Sequence, residues 1–333
     1  MTRTPDLLTF GESMVSLRSA GPLSAGGGLS MHVAGAESNV AVGVARLGHR
    51  VSWSGVVGAD PHGEFIVRQL RSEGIQVLNR VDPGRSTGVM FLEQRTADIS
   101  RAYYYRTGSA GSTFSRKDVD RAFSGGARVL HLTGITPALS KESREAVEYA
   151  AARADGEGMV VSLDVNYRGK LWSRDAAREV LAPLARHARI VVASDDELAL
   201  VASAPDGGEG GEGRDGTGHP DAAEVRMANR LLDLGVEEVV VKRGASGAGV
   251  HTAAGRWEVP AVPVTSIDTV GAGDAFTAGY LSALLDGLDV EGRLHRGAVA
   301  GAFAVSTSGD WEGLPHAGEL LLLANTPGGS TQR

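Results

Sequence analysis

The chain contains no cysteine, which excludes disulfides, thiolate nucleophiles and Cys-ligated metal centres. Aromatic residues are scarce, at 5%, so Leu, Val and Ala must fill most of a core for which the 42% hydrophobic content is ample. Positive charge does not predominate: 33 Lys and Arg stand against 40 Asp and Glu, a formal net charge of −7. That balance argues against wrapping a polyanion, so nucleic acid is not an expected partner. No apolar run approaches the ~18 residues of a bilayer span, and no basic segment followed by an apolar stretch opens the chain. Neither a membrane nor export is expected, and the cytoplasm is the expected compartment. Several catalytic signatures are missing as well. There is no G-x-x-x-x-G-K-[ST], no G-x-S-x-G and no H-E-x-x-H, and Gly271-Ala272-Gly273 has Phe276 where G-x-G-x-x-G needs a third glycine. The nine histidines are scattered and read as surface or packing residues rather than ligands.

What is present is an alternation of short apolar runs with longer helical patterns. It is the mark of β-α units and an α/β chain with a mostly parallel sheet. Residues 7–10, 51–57, 129–132, 160–163, 190–192 and 239–241 are predicted strands. Val40, Val44 and Leu47 fall at helical spacing with Gly48 in place to cap, 61–73 is a second helix, and Asp221 with Glu224 reads as a capping box opening a helix through 234. The alternation breaks where 87–93 and 100–106 follow one another without a helix between them. These are expected to be antiparallel strands and, with part of 13–33, to form a small sheet appended to the main one. Residues 203–222, rich in Gly, Asp and Glu, are expected to be a surface loop, and 326–333 a frayed tail. One domain over 1–325 accounts for the whole pattern.

The most informative segment is Asp268-Thr269-Val270-Gly271-Ala272-Gly273-Asp274-Ala275-Phe276. Small residues at Gly271, Ala272 and Gly273 allow a tight turn, and a helix beginning there adds partial positive charge. The result is an anion hole for a phosphoryl group, with Asp274 beside it to accept a proton from an attacking hydroxyl. A closely packed, Ala/Gly-rich helix start is the plainer reading. Lys242, Arg243, Gly244, Ala245, Ser246, Gly247 and Ala248 follow a predicted strand and suit either a nucleotide phosphate or a simple strand-to-strand turn. Ser194-Asp195-Asp196-Glu197 closes another strand, where open α/β sheets place ligands. Glu197 is a candidate to hold a water of Mg²⁺, or merely an acid in a first helical turn. Tyr104 and Arg106 share one face of a predicted strand, and Asp164-Val165-Asn166-Tyr167-Arg168 places an Arg after another. Both suit a polyol carrying a carboxylate, and both suit a polar surface.

These residues together resemble the ribokinase/pfkB family of sugar kinases. One family signature runs through Gly35-Ala36-Glu37-Ser38-Asn39-Val40-Ala41, Arg46-Leu47-Gly48 and Gly55-Val56-Val57-Gly58-Ala59-Asp60, and the second is the 268–276 segment. Stretches 104–110, 131–139 and 162–168 resemble 2-keto-3-deoxygluconate kinases in particular. The resemblance implies an α/β fold with a doubly wound, mostly parallel sheet flanked by helices and a small β-sheet lid, ATP-dependent phosphorylation of a sugar acid with Mg²⁺, and Asp274 as the base. It also implies sugar contacts from Gly35, Asn39, Tyr104, Arg106, Arg168 and Asp310, and nucleotide contacts from Ser194 and 242–248. A homo-oligomer through the lid sheet is expected. The chain departs from related kinases at Ala298, where an Asn lies near the adenine, and at Met90, where some have Tyr. Ser194 replaces the Asn of the wider family's N-x-x-E motif. The rival readings are a kinase for a neutral sugar and a non-catalytic binding regulator on the same scaffold.

Overall fold

Residues 4–96, 99–202 and 222–324 are described by the computed structural model. Strands β1 (Leu7–Phe10), β2 (Met14–Ser19), β3 (Ser30–Ala34), β4 (Val51–Gly58), β5 (Gln76–Asp82), β6 (Val89–Thr96) and β7 (Ile99–Tyr105) come first. They are followed by β8 (Val129–Thr133), β9 (Val160–Asp164), β10 (Ile190–Ser194), β11 (Glu238–Lys242), β12 (Ala248–Thr252) and β13 (Gly255–Val259). Nine strands make one sheet in the order β13-β12-β11-β10-β9-β8-β1-β4-β5. It is parallel from β5 to β11 and ends in an antiparallel hairpin edge.

The six predicted strands form the middle of this sheet, and period-2 alternation explains why apolar residues fall on both of their faces. Along β10, Val191 and Ala193 join the core on one face while Ile190 and Val192 join the core on the other. Helices cover both faces, so neither set of side chains meets water. The helix Ala36–Arg46 ends as read, with Gly48 at φ 99° just beyond it. The helix Pro61–Ser72 opens on Asp60, whose carboxylate accepts from the Gly63 amide at 2.8 Å. The edge strand β5 and the hairpin β12–β13 carry no long apolar run and were not foreseen. Of the expected loop 203–222, residues 203–221 with the Asp221 cap lie outside the described residues, as does the tail 326–333, and Ala222 opens the helix Ala222–Asp233.

A separate four-stranded sheet, in the order β3-β2-β6-β7, is the expected small appended sheet, termed the lid after the role expected of it. Strand β7 pairs antiparallel with β6, as the missing helix between them requires, while β2 runs parallel to β6. Met14, Ala34, Met90 and Leu92 form a small apolar cluster of their own on it, with Ala102 packed against them.

The strand order reverses between β1 and β8, the arrangement that opens a crevice at the carboxyl ends of parallel strands. Glu12, Asp164, Ser194 and Lys242 all sit at or just past such ends. No helix among the described residues is long and apolar enough to cross a membrane.

Candidate active site

One cleft of about 1330 Å³ lies between the lid and the carboxyl ends of the sheet. It exceeds the ~300–1,000 Å³ usual for one small ligand, room enough for two. Of the expected site residues, Gly35, Asn39, Tyr104, Arg106, Arg168, Ser194, Glu197, Lys242, Gly244, Gly271, Gly273, Asp274 and Asp310 all line it. Residues spread over most of the chain therefore converge on one space.

The helix Ala272–Leu285 starts from Gly271, whose φ of 76° is left-handed. A Cβ there would also collide with the carbonyl oxygen of Asp310, so only glycine fits. No side chain caps this helix, and apart from Ala272, whose amide reaches the Thr269 carbonyl at 3.4 Å, its first amides are left to a ligand. Asp274, in its first turn, is buried, and both of its oxygens are held. Asn39 Nδ2 donates to Oδ2 at 2.8 Å, and Asn166 Nδ2 to Oδ1 at 3.1 Å. Burial pushes the Asp274 carboxyl above its ordinary value, and nearby Asp164 adds to this. The Asn39 hydrogen bond and the charges of Arg168 and Lys242 oppose it. Asn166 has φ 39°, the one positive φ outside glycine among the described residues. Backbone strain of this kind is tolerated where the surroundings fix it, and here it aims an amide at Asp274.

Lys242 crosses from β11 to Asp164, with Nζ 2.8 Å from Oδ2, and stands beside Gly273 at the helix start. Burial alone would lower its pKa, but Asp164 and Glu197 outweigh burial and raise it, so it stays charged. Thr277 Oγ1 completes the set by donating to Asp164 at 2.9 Å. Glu197 accepts from the Tyr167 amide at 2.6 Å and the Ser194 amide at 2.9 Å, tying the ends of β9 and β10 together. Each oxygen keeps a lone pair beyond those bonds. Among the described residues no group of three or more His, Asp or Glu is arranged to hold a metal unaided.

The 242–248 stretch divides. Lys242 and Gly244 face the cleft, and Gly244–Ser246 form an exposed turn that includes Ala245. Gly247 packs against the end of β13, and Ala248 begins β12. Arg243 turns away from the cleft. It is buried against Glu224, Nη2 to Oε1 2.6 Å, with His251 on the same oxygen at 2.8 Å. A desolvated guanidinium needs a carboxylate, and Glu224 supplies it, so this cation serves the hairpin edge and is not brought to the site. Ala272 is inside the helix start without lining the cleft. Ala298, on the helix Val290–Val305, does not line it either.

At the lid, Tyr104 faces Met90 across β6–β7 and lies beneath two cations, Lys170 at 5.3 Å and Arg106 at 5.9 Å from the ring centre. Arg106 is not free: its Nε donates to Glu12 Oε2 at 2.7 Å. Arg168 is exposed in the cleft and has no hydrogen-bond or ion-pair partner for its side chain among the described residues. Asp310 pairs with Arg18 of β2, Oδ2 to Nη2 2.6 Å, and Arg18 also reaches Asp268 Oδ2 at 3.2 Å. Burial pushes the Asp310 carboxyl up to about 6 against the pull of Arg18. Gly35 backs onto the Glu12 carbonyl, where a Cβ would lie 2.7 Å from the oxygen. Glu37, fully buried, accepts from the hydroxyls of Thr133 at 2.6 Å and Thr136 at 2.7 Å, and burial raises its pKa. Glu12, Arg18, Glu37 and Asn166 were not singled out from the sequence. Glu37 and Asn166 lay inside quoted motifs, whereas Glu12 and Arg18 carried no local signal at all.

The family model described as pfkB family carbohydrate kinase matches residues 5–317. The 2-dehydro-3-deoxygluconokinase of Bacillus subtilis is 34% identical, over 93% of this chain and 92% of its own length. The 2-dehydro-3-deoxygalactonokinase of Haloferax volcanii is 32% identical, over 92% of this chain and 93% of its own. A solved PfkB protein from Polaromonas sp. JS666 superposes with a TM-score of 0.80 at 35% identity, covering 95% of this chain and 99% of that one.

Proposed function

Because the chain belongs to the pfkB family of carbohydrate kinases, ATP-dependent phosphotransferases, we propose that its acceptor is a 2-keto-3-deoxy sugar acid. The foremost candidate is 2-keto-3-deoxygluconate, phosphorylated on its primary hydroxyl to 2-keto-3-deoxy-6-phosphogluconate. Arg168 carries this reading: a guanidinium in the same cleft as Asp274, without a carboxylate of its own among the described residues. A substrate carboxylate would supply a charge-assisted, bidentate partner. The names of the two relatives, both kinases of 2-dehydro-3-deoxy sugar acids, support it.

In this reading Asp274 takes the hydroxyl proton, made more basic by burial and held in aim by Asn39 and Asn166. The first amides of the Ala272–Leu285 helix and the Lys242 ammonium receive the charge of the transferring phosphoryl group. Gly35, Tyr104, Arg106, Arg168 and Asp310 orient the sugar, and Ser194 and Gly244 line the nucleotide side. Glu197 fits a Mg²⁺ ion held mainly through water and phosphates, since one fixed carboxylate is the usual protein share; the ion would neutralise charge between phosphates. The lid excludes water from the transfer. Its outer face exposes Leu29, Tyr103 and Tyr105 beside Phe91, and there we place the contact with a second copy. Sedimentation of Tyr105→Glu should then show a smaller species than the unaltered chain, and equal sizes would remove the assignment.

A neutral sugar is the second reading, and one observation favours it. The carboxylate that balances Arg106 comes from Glu12, so that arginine does not call for an acidic substrate. A panel with ATP and Mg²⁺ decides between them: kcat/KM for 2-keto-3-deoxygluconate and its galacto epimer against fructose and ribose. A higher value for a neutral sugar would end the sugar-acid reading.

A further inference from the structure

Glu12 follows β1 at the junction between the main sheet and the lid, and its carboxylate is almost wholly enclosed, 1% exposed. Two glycines make that enclosure possible. A Cβ at Gly88 would lie 2.6 Å from Glu12 Oε1, and one at Gly111 would overlap its Cγ. Arg106 donates to Oε2 from one side, and the Ser109 hydroxyl donates to Oε1 from the other. A desolvated carboxylate costs several kcal/mol unless it is paired and hydrogen-bonded, and here every partner comes from the segment following β7. The pair still lines the cleft.

The cleft has four Lys or Arg side chains on its walls: Arg106, Arg168, Lys170 and Lys242. Lys242 is spent on Asp164 and Arg106 on Glu12. Lys170 leans on the lid, donating to the Ala102 carbonyl at 2.9 Å over the Tyr104 ring. Arg168, unlike Arg106, has no carboxylate at ion-pair distance among the described residues, and its charge is felt only at longer range by Asp274.

We propose that Glu12 is a specificity-determining residue: by pairing with Arg106 it lets that arginine enter the cleft as a fixed hydrogen-bond donor without net charge. Discrimination between an anionic and a neutral sugar then falls to Arg168. The pairing also fixes the guanidinium over Tyr104, so the donor is oriented before the sugar arrives.

This rests on the sugar-acid reading for its choice of substrates, and the readout is the ratio of kcat/KM for 2-keto-3-deoxygluconate to that for fructose. A residue needed only for folding would lower both values together and leave the ratio alone. Glu12→Gln keeps the length and an acceptor for Arg106, and the Ser109 hydroxyl can turn to accept from the new amide. With the negative charge gone, the ratio should rise roughly 5- to 50-fold, the scale of one partly screened charge a few ångströms from the substrate. The double variant Glu12→Gln/Arg106→Gln removes the whole pair and should return the ratio to within about threefold of the unaltered enzyme, whereas Arg168→Gln should lower it about tenfold or more. An unchanged ratio in Glu12→Gln, or a double variant that loses as much as Arg168→Gln, would overturn the proposal. Should Glu12→Gln not fold, the double variant, which leaves no unpaired charge, still decides. An unaltered enzyme that prefers fructose would sink the sugar-acid reading by itself, and the rise in Glu12→Gln would remain to be seen or not.

Discussion

Asp274 has two amide donors on its oxygens and is buried apart from its opening to the cleft, so replacing it by Asn keeps shape while removing proton acceptance. Asp274→Asn should lower kcat by at least ~10²-fold with the Kd for ATP nearly unchanged; a variant with kcat close to the parent would take the base role away. The pH dependence follows from the same burial. A base whose pKa is raised loses its proton-accepting form at a higher pH than an ordinary carboxylate would, so the acid-side fall in kcat/KM should set in at higher pH than an unburied aspartate would give. Arg168 pulls that pKa down, so Arg168→Gln should move the acid limb to higher pH. A limb that stays put or moves down would contradict the assignment. Asp274 was legible in the sequence because its glycines, its acid and a helix start are contiguous. Its supports were not: Asn39 and Asn166 reach it from 235 and 108 positions away. The Glu12–Arg106 pair spans 94 positions, and nothing local marks either half as needing the other. The sequence reading, which sets Arg106 against a substrate carboxylate, could not show Glu12 beside it for that reason.

At the scale of elements, the start of the Ala272–Leu285 helix is held by backbone packing rather than by a side-chain cap. Gly271→Ala would require a left-handed alanine and a shift of the Asp310 carbonyl. A loss of about 1–3 kcal/mol in stability is expected from such a strained site, seen as a lower Tm. kcat should fall further than ATP affinity, because the displaced amides are those facing the transferring group. Normal kcat in Gly271→Ala would mean that the turn only packs. Buried parallel strands were easy to read, since both faces are apolar and the runs are continuous. The half-exposed edge strand β5 and the hairpin β12–β13 escaped because an edge needs no such run. The lid was readable from an absence, the missing helix between β6 and β7. Arg243 was misplaced for a simple reason: alternation along the chain after β11 puts it opposite Lys242, into the arms of Glu224.

At the scale of the whole molecule, Arg18 is the tie between lid and anion hole. It spans 250 positions to Asp268 and 292 to Asp310 from a lid strand. Arg18→Met would leave buried carboxylates without their cation, a loss of about 3–5 kcal/mol in pairs of this kind, so Tm should fall by several degrees. The sign of its pH dependence can be worked out. Asp310 is raised from 3.8 to about 6 by burial even with Arg18 present. A carboxyl raised on folding favours the folded state below its unfolded pKa, and that contribution is lost as pH rises through the folded value. Without Arg18 the raised value goes higher still, so the Tm deficit of Arg18→Met should be small at pH 5 and larger at pH 8. A deficit independent of pH would show that Arg18 acts through packing alone. The same long ties have a consequence during biosynthesis. Gly35 and Asn39 leave the ribosome early, Asp274 late, and Asp310 with its grip on Arg18 later again. The cleft therefore has no closed form until translation has passed residue 310, and shorter nascent chains are expected to be unable to consume ATP while the rest is being made.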